Sequence, residues 1–182
     1  MTADAPVAGP PSGGLASASP PSRSLPADGF DDLRDLYQEV ILDRGRKPRH
    51  GKRLEAFDAT AKGDNPMCGD RVQVWVKYAG DGRIAATGFD ARGCAISIAS
   101  ADLMAETVRG RDKADTRALF AAFREMARTG ICPNCEAGLT EPLRQLAPLS
   151  GVHDYPSRVK CATLPWHALI AALDGTKEAS SE

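Results

Sequence analysis

The stretch Arg71-Val72-Gln73-Val74-Trp75-Val76-Lys77-Tyr78 decides the fold class. Val72, Val74 and Val76 recur at every second position, the period of a strand that buries one face. Gly80-Asp81-Gly82 follows as a turn, and Ile84 to Phe89 returns as the partner strand. Upstream, after a basic loop, Ala56 to Ala61 predicts a shorter strand. Together these segments predict a small antiparallel sheet of about three strands.

Away from this hairpin the period becomes helical. Toward the N-terminus, Leu33, Leu36, Tyr37, Val40 and Ile41 fall at i, i+3, i+4, i+7, i+8 spacing. Asp31 or Asp32 can cap that helix, and Gly45 and Pro48 end it. Downstream, Ile96 to Val108 predicts a helix, and Thr116 to Arg128 another with Leu119, Phe120, Phe123 and Met126 inward. Gly130 to Gly138 is a break, and Glu141 to Leu149 is a short helix started by Thr140 and Pro142. Cys161 to Leu173 is an apolar helix ending at Gly175. Strands first and helices afterwards predict an α+β domain, one sheet covered by helices.

Residues 1–29 are dominated by Ala, Pro, Ser and Gly and bury too little apolar area to offset their ordering entropy. They are expected to form a disordered tail ahead of one domain over 30–175, with 176–182 a disordered C-terminus. With 23 basic and 24 acidic residues, scattered rather than striped, the charge gives no reason to expect nucleic acid. No run approaches the ~20 apolar residues of a membrane span, so a soluble protein is expected. The N-terminal stretch has neither a secretory h-region nor the arginines of a transit peptide. A thiol-reducing cytoplasmic setting follows as the expectation, in which the five cysteines are free or metal-bound.

Three of those cysteines share a local context. Cys68 lies in a turn just before the strand quoted above, within Asn65-Pro66-Met67-Cys68-Gly69-Asp70. Cys94 lies between the return strand and a helix, and Cys161 opens the last predicted helix. Each sits at an element end, where side chains can converge. With Asp70 they supply four ligands for a tetrahedral zinc ion. A carboxylate holds zinc less firmly than a fourth thiolate, so this shell can exchange a ligand. Arg92 and Lys160 flank the second and third cysteines and are expected to offset the −2 formal charge of such a site. The competing reading is that these are small buried core residues.

The longer motifs carry a resemblance. Leu36 to Asp43 with Lys47-Pro48-Arg49, the Asn65–Asp70 turn, Gly93 to Ala101 and Arg158 to Leu169 occur in the order and form of the IscU/NifU-N iron–sulfur assembly proteins. The chain resembles the SufU branch of that family, from about Asp31 to Leu173. Scaffold-type members have a His immediately before the third cysteine, where this chain has Lys160, and lack the stretch corresponding to residues 130–157.

The resemblance implies an α+β sandwich and a zinc site of Cys68, Asp70, Cys94 and Cys161. It implies transfer of a persulfide sulfur from a pyridoxal-phosphate-dependent cysteine desulfurase of the SufS type, with Cys68 as acceptor. A desulfurase histidine would replace Cys68 on zinc, and a downstream SUF assembly scaffold would receive the sulfur. Such a chain is a sulfurtransferase in the sense of a co-substrate of its partner. Two other readings use the same residues: a scaffold on which an iron–sulfur cluster forms, and a zinc-stabilised interaction module.

Two departures from the family pattern stand out. Ala91 replaces the usual Gly two residues before Gly93, which predicts a stiffer loop. Cys132-Pro133-Asn134-Cys135 falls in the insertion and can be a redox pair, half of a metal site or an inert pair. His50 and His153 read as solvated loop histidines and His167 as a packing residue. Trp166, near Cys161 in sequence, reads as a helix-packing aromatic able to shape the mouth of the site.

Overall fold

The computed structural model describes residues 28–131 and 140–180. Helix α1 spans Asp28–Arg46, followed by strands β1 (Ala59–Asn65), β2 (Asp70–Tyr78) and β3 (Ile84–Arg92). Helices α2 (Ala95–Thr107), α3 (Lys113–Thr129) and α4 (Thr140–Leu146) come next. A 3₁₀ segment over Ala147–Asp154 leads into α5 (Pro156–Leu173), and β4 (Glu178–Ser180) ends the described chain. The α+β class read from the sequence is the class observed.

The valine alternation behaves as expected: Val72, Val74 and Val76 all point into the core. In the β2–β3 register they sit opposite Ala91, Phe89 and Thr87, so both strands bury the same face. β1 pairs antiparallel with β2 from Ala59↔Val76 to Asn65↔Asp70 and starts three residues later than the sequence suggested. The sheet has four strands rather than three, in the order β3-β2-β1-β4. Short β4 lies parallel to β1, with Lys62 opposite Glu178. Glu178–Ser180, within the segment expected to be disordered, therefore close one edge of the sheet. Capping an open edge satisfies backbone groups whatever the side chains prefer.

Helix α5 lies across the inner face of β1 and β2, α2 packs beside α5, and α1 packs on α2. Gly63 permits the first of these contacts: a Cβ there would fall 3.1 Å from the Leu164 side chain and 3.3 Å from that of Ala168. Trp166 is fully buried and stacks on Phe123 and Phe120, with centroids 5.0 and 5.8 Å apart. It is a core residue and does not shape a site mouth. His167 meets Phe120 edge-on, as its packing assignment implies, and burial lowers its pKa.

Helix α1 is only partly covered. Ile41 packs on the core, but Leu36 is 53% exposed and Leu42 43%. What fixes α1 is polar. Asp102 of α2, fully buried, accepts from Arg44 Nη1 at 2.8 Å and from the His50 amide at 2.7 Å. The His50 ring also contacts Asp102, with Nδ1 3.2 Å from Oδ1. His50 is thus half-buried and structural rather than a solvated loop residue. His153 does lie exposed, its Nδ1 2.8 Å from the Ser150 carbonyl.

Candidate metal centre

The site gathers where β1–β2, β3–α2 and the start of α5 meet. The Asn65–Asp70 turn is set by Asn65, which is buried. Its carbonyl accepts from the amides of Cys68 and Gly69 at 3.3 and 2.8 Å, and its Oδ1 accepts from the Met67 amide at 3.2 Å. Gly69 closes the turn at φ +71°, a conformation that costs a residue with a Cβ about 1 kcal/mol or more. Met67 (75% exposed) and Cys68 are thereby held out on the tip, while Asp70, the first residue of β2, points inward.

Cys94 is the N-cap of α2. Its sulfur accepts from the Ser97 amide at 3.4 Å, in the place a Ser or Asp oxygen usually takes. Its own amide donates to Asp70 Oδ1 at 3.1 Å, and its sulfur lies 3.7 Å from Asp70 Oδ2. Gly93 makes this possible. A Cβ on it would fall 2.5 Å from Asp70 Oδ1 and 2.7 Å from Asp70 Cγ, so the carboxylate occupies the space a side chain would need. Ala91 sits in regular β3 pairing opposite Val72.

Cys161 does not open a helix. Pro156 at N1 starts α5 five residues earlier, leaving Cys161 in the second turn and fully buried. A thiol there gains little from the helix N-terminus. Burial pushes its pKa well above the usual thiol range, reinforced by the Asp70 carboxylate and the Cys68 thiol that neighbour it. Its sulfur rests 3.5 Å from the Ser157 carbonyl. Pro165 cannot donate to the Cys161 carbonyl four residues back, and Ser100 Oγ pins this turn to α2 through the Ala162 carbonyl at 2.5 Å.

Asp70, Cys94 and Cys161 thus form one set, with a ligand atom from each lying within 4.8 Å of the others. Cys68 stands outside that set but beside the Cys161 sulfur. Tetrahedral zinc, with Zn–S of about 2.3 Å and Zn–O of about 2.1 Å, separates its ligands by roughly 3.5–3.8 Å. From the 4.8 Å limit the three ligand atoms need close by only about 1 Å to hold the ion, and two thiols, one carboxylate and an adjacent third thiol are a donor set zinc favours.

The cations are arranged differently from the sequence expectation. Arg92 pairs with Arg71 on the outer face of the sheet, away from the inward Asp70. Lys160 reaches over the turn to Met67 Sδ at 3.9 Å. The cation that the thiols act on is Arg158, its pKa raised first by the neighbouring Cys161 sulfur and also by those of Cys94 and Cys68. Arg158 and Cys161 are three residues apart on a helix and share a face, whereas Lys160 is turned about 100° away. Cys132 and Cys135 lie outside the described residues.

This geometry coincides with a family match. Residues 36–162 fit the model of the NifU-like N terminal domain. The chain belongs to that family. Its relatives include the iron–sulfur cluster assembly scaffold protein IscU of Streptococcus pyogenes serotype M1, 35% identical over 78% of this chain and 84% of the relative. The zinc-dependent sulfurtransferase SufU of Bacillus subtilis is 33% identical over 76% of this chain and 89% of its own. Among solved structures, a candidate iron–sulfur cluster assembly scaffold for the SUF system from Fervidobacterium islandicum AW-1 superposes with a TM-score of 0.64. It is 28% identical, and the match covers 77% of this chain and 98% of that one. NifU-like relatives of both names thus share this domain. Among the described residues no helix is long and apolar enough to cross a membrane.

Proposed function

We propose that the chain is an iron–sulfur cluster assembly protein of the SufU type, which accepts sulfur on Cys68 at a zinc site completed by Asp70, Cys94 and Cys161. The single observation carrying this reading is the division of the site. Three ligand atoms are gathered inside the fold, while the fourth cysteine is exposed on a turn tip beside them. A purely structural zinc site holds four ligands in a fixed, closed shell, whereas a ligand on an exposed turn tip is free to exchange. Bound zinc supplies the positive charge that keeps these sulfurs deprotonated at neutral pH.

The partner is a pyridoxal-phosphate-dependent cysteine desulfurase of the SufS type, and the setting is the reducing cytoplasm. The Cys68 thiolate attacks the outer sulfur of the partner's cysteine persulfide. A new S–S bond forms on Cys68, the partner's S–S bond breaks, and its electron pair leaves on the partner's cysteine thiolate. Arg158 faces the developing sulfur charge, and exposed Met67 lines the approach. The sulfur then passes to a downstream SUF assembly scaffold. In this sense the chain is a co-substrate sulfurtransferase.

A second reading, supported by the scaffold names among the relatives, places an iron–sulfur cluster on the same ligands. Lys160 in the position before Cys161 and the segment 130–157 favour the first. Elemental analysis of protein purified without added metal or chelator separates the two. About one zinc per chain, weakened by Asp70→Ala, is the expected result. Iron with acid-labile sulfide and little zinc overturns it in favour of the scaffold.

A further inference from the structure

Four threonine hydroxyls on the helices of this protein follow a common habit, and the Ser100 hydroxyl donates across to the Ala162 carbonyl. Thr107, Thr116, Thr129 and Thr163 each donate to the carbonyl four residues back, at 2.9, 2.7, 2.8 and 3.0 Å. Ser97 does not. Its hydroxyl is fully buried and has no partner among the described residues.

The local geometry explains why. Ser97 is the third residue of α2, counted from Cys94 as N-cap. At that position a side chain ordinarily reaches back to accept from the N-cap amide. Here the Cys94 amide is already taken by Asp70 Oδ1. The Cys94 carbonyl accepts from Ile98 at 3.2 Å, and the Ser97 hydroxyl makes no bond to it. Beside Ser97 lies the Cys94 sulfur, which accepts from the Ser97 amide at 3.4 Å while the hydroxyl makes no bond to it. A neutral thiol is a poor acceptor, but a thiolate is a strong one. The orphaned hydroxyl is complementary to the deprotonated site.

We infer that Ser97 is a positioning residue of the metal centre, whose hydroxyl donates to the Cys94 thiolate when the metal is bound. With the Ser97 amide it gives that sulfur two donors from one residue, offsetting part of the anionic charge from inside the fold as Arg158 does from outside. This rests on the zinc reading above and extends it to a residue that is not a ligand. Partners of ligand atoms usually set metal affinity by about 10- to 100-fold.

The test is Ser97→Ala in the full chain, compared with the parent by chelator competition for zinc, by metal-free thermal melting, and by cobalt(II) substitution. Zinc affinity is expected to fall about 10- to 100-fold. The melting temperature of the metal-free variant is expected to hold or rise, because an unsatisfied buried hydroxyl has been removed. The sulfur-to-cobalt charge-transfer bands are expected to move to lower energy, as a thiolate without its donor is a stronger electron source. A residue that merely packs would lower the metal-free melting temperature and leave the bands in place. An affinity within twofold of the parent with unmoved bands overturns the inference while leaving the zinc reading intact. Failure of the parent itself to bind zinc overturns both.

Discussion

Gly93→Ala changes no ligand yet is expected to damage the site. The φ of Gly93 lies outside the left-handed region, so alanine meets no backbone strain there and the effect is steric. Its methyl would sit 2.5 Å from Asp70 Oδ1 and 2.7 Å from Cγ, against a comfortable separation of about 3.3 Å or more. The carboxylate must therefore retreat by roughly 0.7 Å. It then loses its 3.1 Å bond from the Cys94 amide and its place 3.7 Å from the Cys94 sulfur. A hydrogen bond to a charged acceptor contributes about 1.5–3 kcal/mol, so zinc affinity should fall roughly 10- to 100-fold. Competition with a chromophoric chelator measures this, and circular dichroism confirms that the fold persists. A zinc affinity within threefold of the parent, with native spectra, would refute the argument that the Gly93 backbone makes room for the Asp70 carboxylate.

Three further predictions follow from other parts of the molecule. Asp102→Ala leaves Arg44 and the His50 amide without their acceptor. It should cost about 2–4 kcal/mol, somewhat under the range for fully buried pairs because Arg44 keeps an edge in solvent. That corresponds to a melting-temperature loss of roughly 4–16 °C by calorimetry. Burial alone would raise the Asp102 pKa, but Arg44 and the His50 amide outweigh it and hold the carboxyl below its usual range. Its contribution is therefore complete above the unfolded carboxylate pKa of about 3.9 and is lost as pH falls through the lower folded value. Acid titration of Asp102→Asn should accordingly show a shallower fall in stability below about pH 4 than the parent. Because the Cys161 thiol is pushed upward by burial, it is protonated at neutral pH without metal and must release that proton on binding. Apparent zinc affinity should rise from about pH 6 to about pH 8, with proton release seen by calorimetry in buffers of different ionisation enthalpy.

Much of this architecture could be read before any coordinates. The alternation of Val72, Val74 and Val76 specified a strand and its inner face, and the motif spacing brought Asp70, Cys94 and Cys161 to one place. What sequence adjacency misassigned was direction. Arg92 and Lys160 neighbour ligand positions in the chain, but strand alternation and helical rotation turn them elsewhere. Arg158, three residues from Cys161, was visible within the third motif and became legible as a partner only once Pro156 was recognised as the start of α5. Strand β4 carries no pattern of its own and exists because β1 offers an edge. The Asp102–Arg44–His50 cluster spans more than fifty residues of sequence, and no local period announces it. The tightness at Gly93 depends on an atom of another strand.

The central claim is that Cys68 receives the sulfur. Its most direct test is peptide mass spectrometry of the zinc-loaded chain after brief exposure to a cysteine desulfurase and cysteine, with thiols and persulfides trapped by alkylation. The account predicts the mass of one added sulfur atom on the peptide bearing Cys68, and its disappearance together with desulfurase stimulation in Cys68→Ala. Added sulfur on Cys94 or Cys161, or full stimulation by Cys68→Ala, would contradict it.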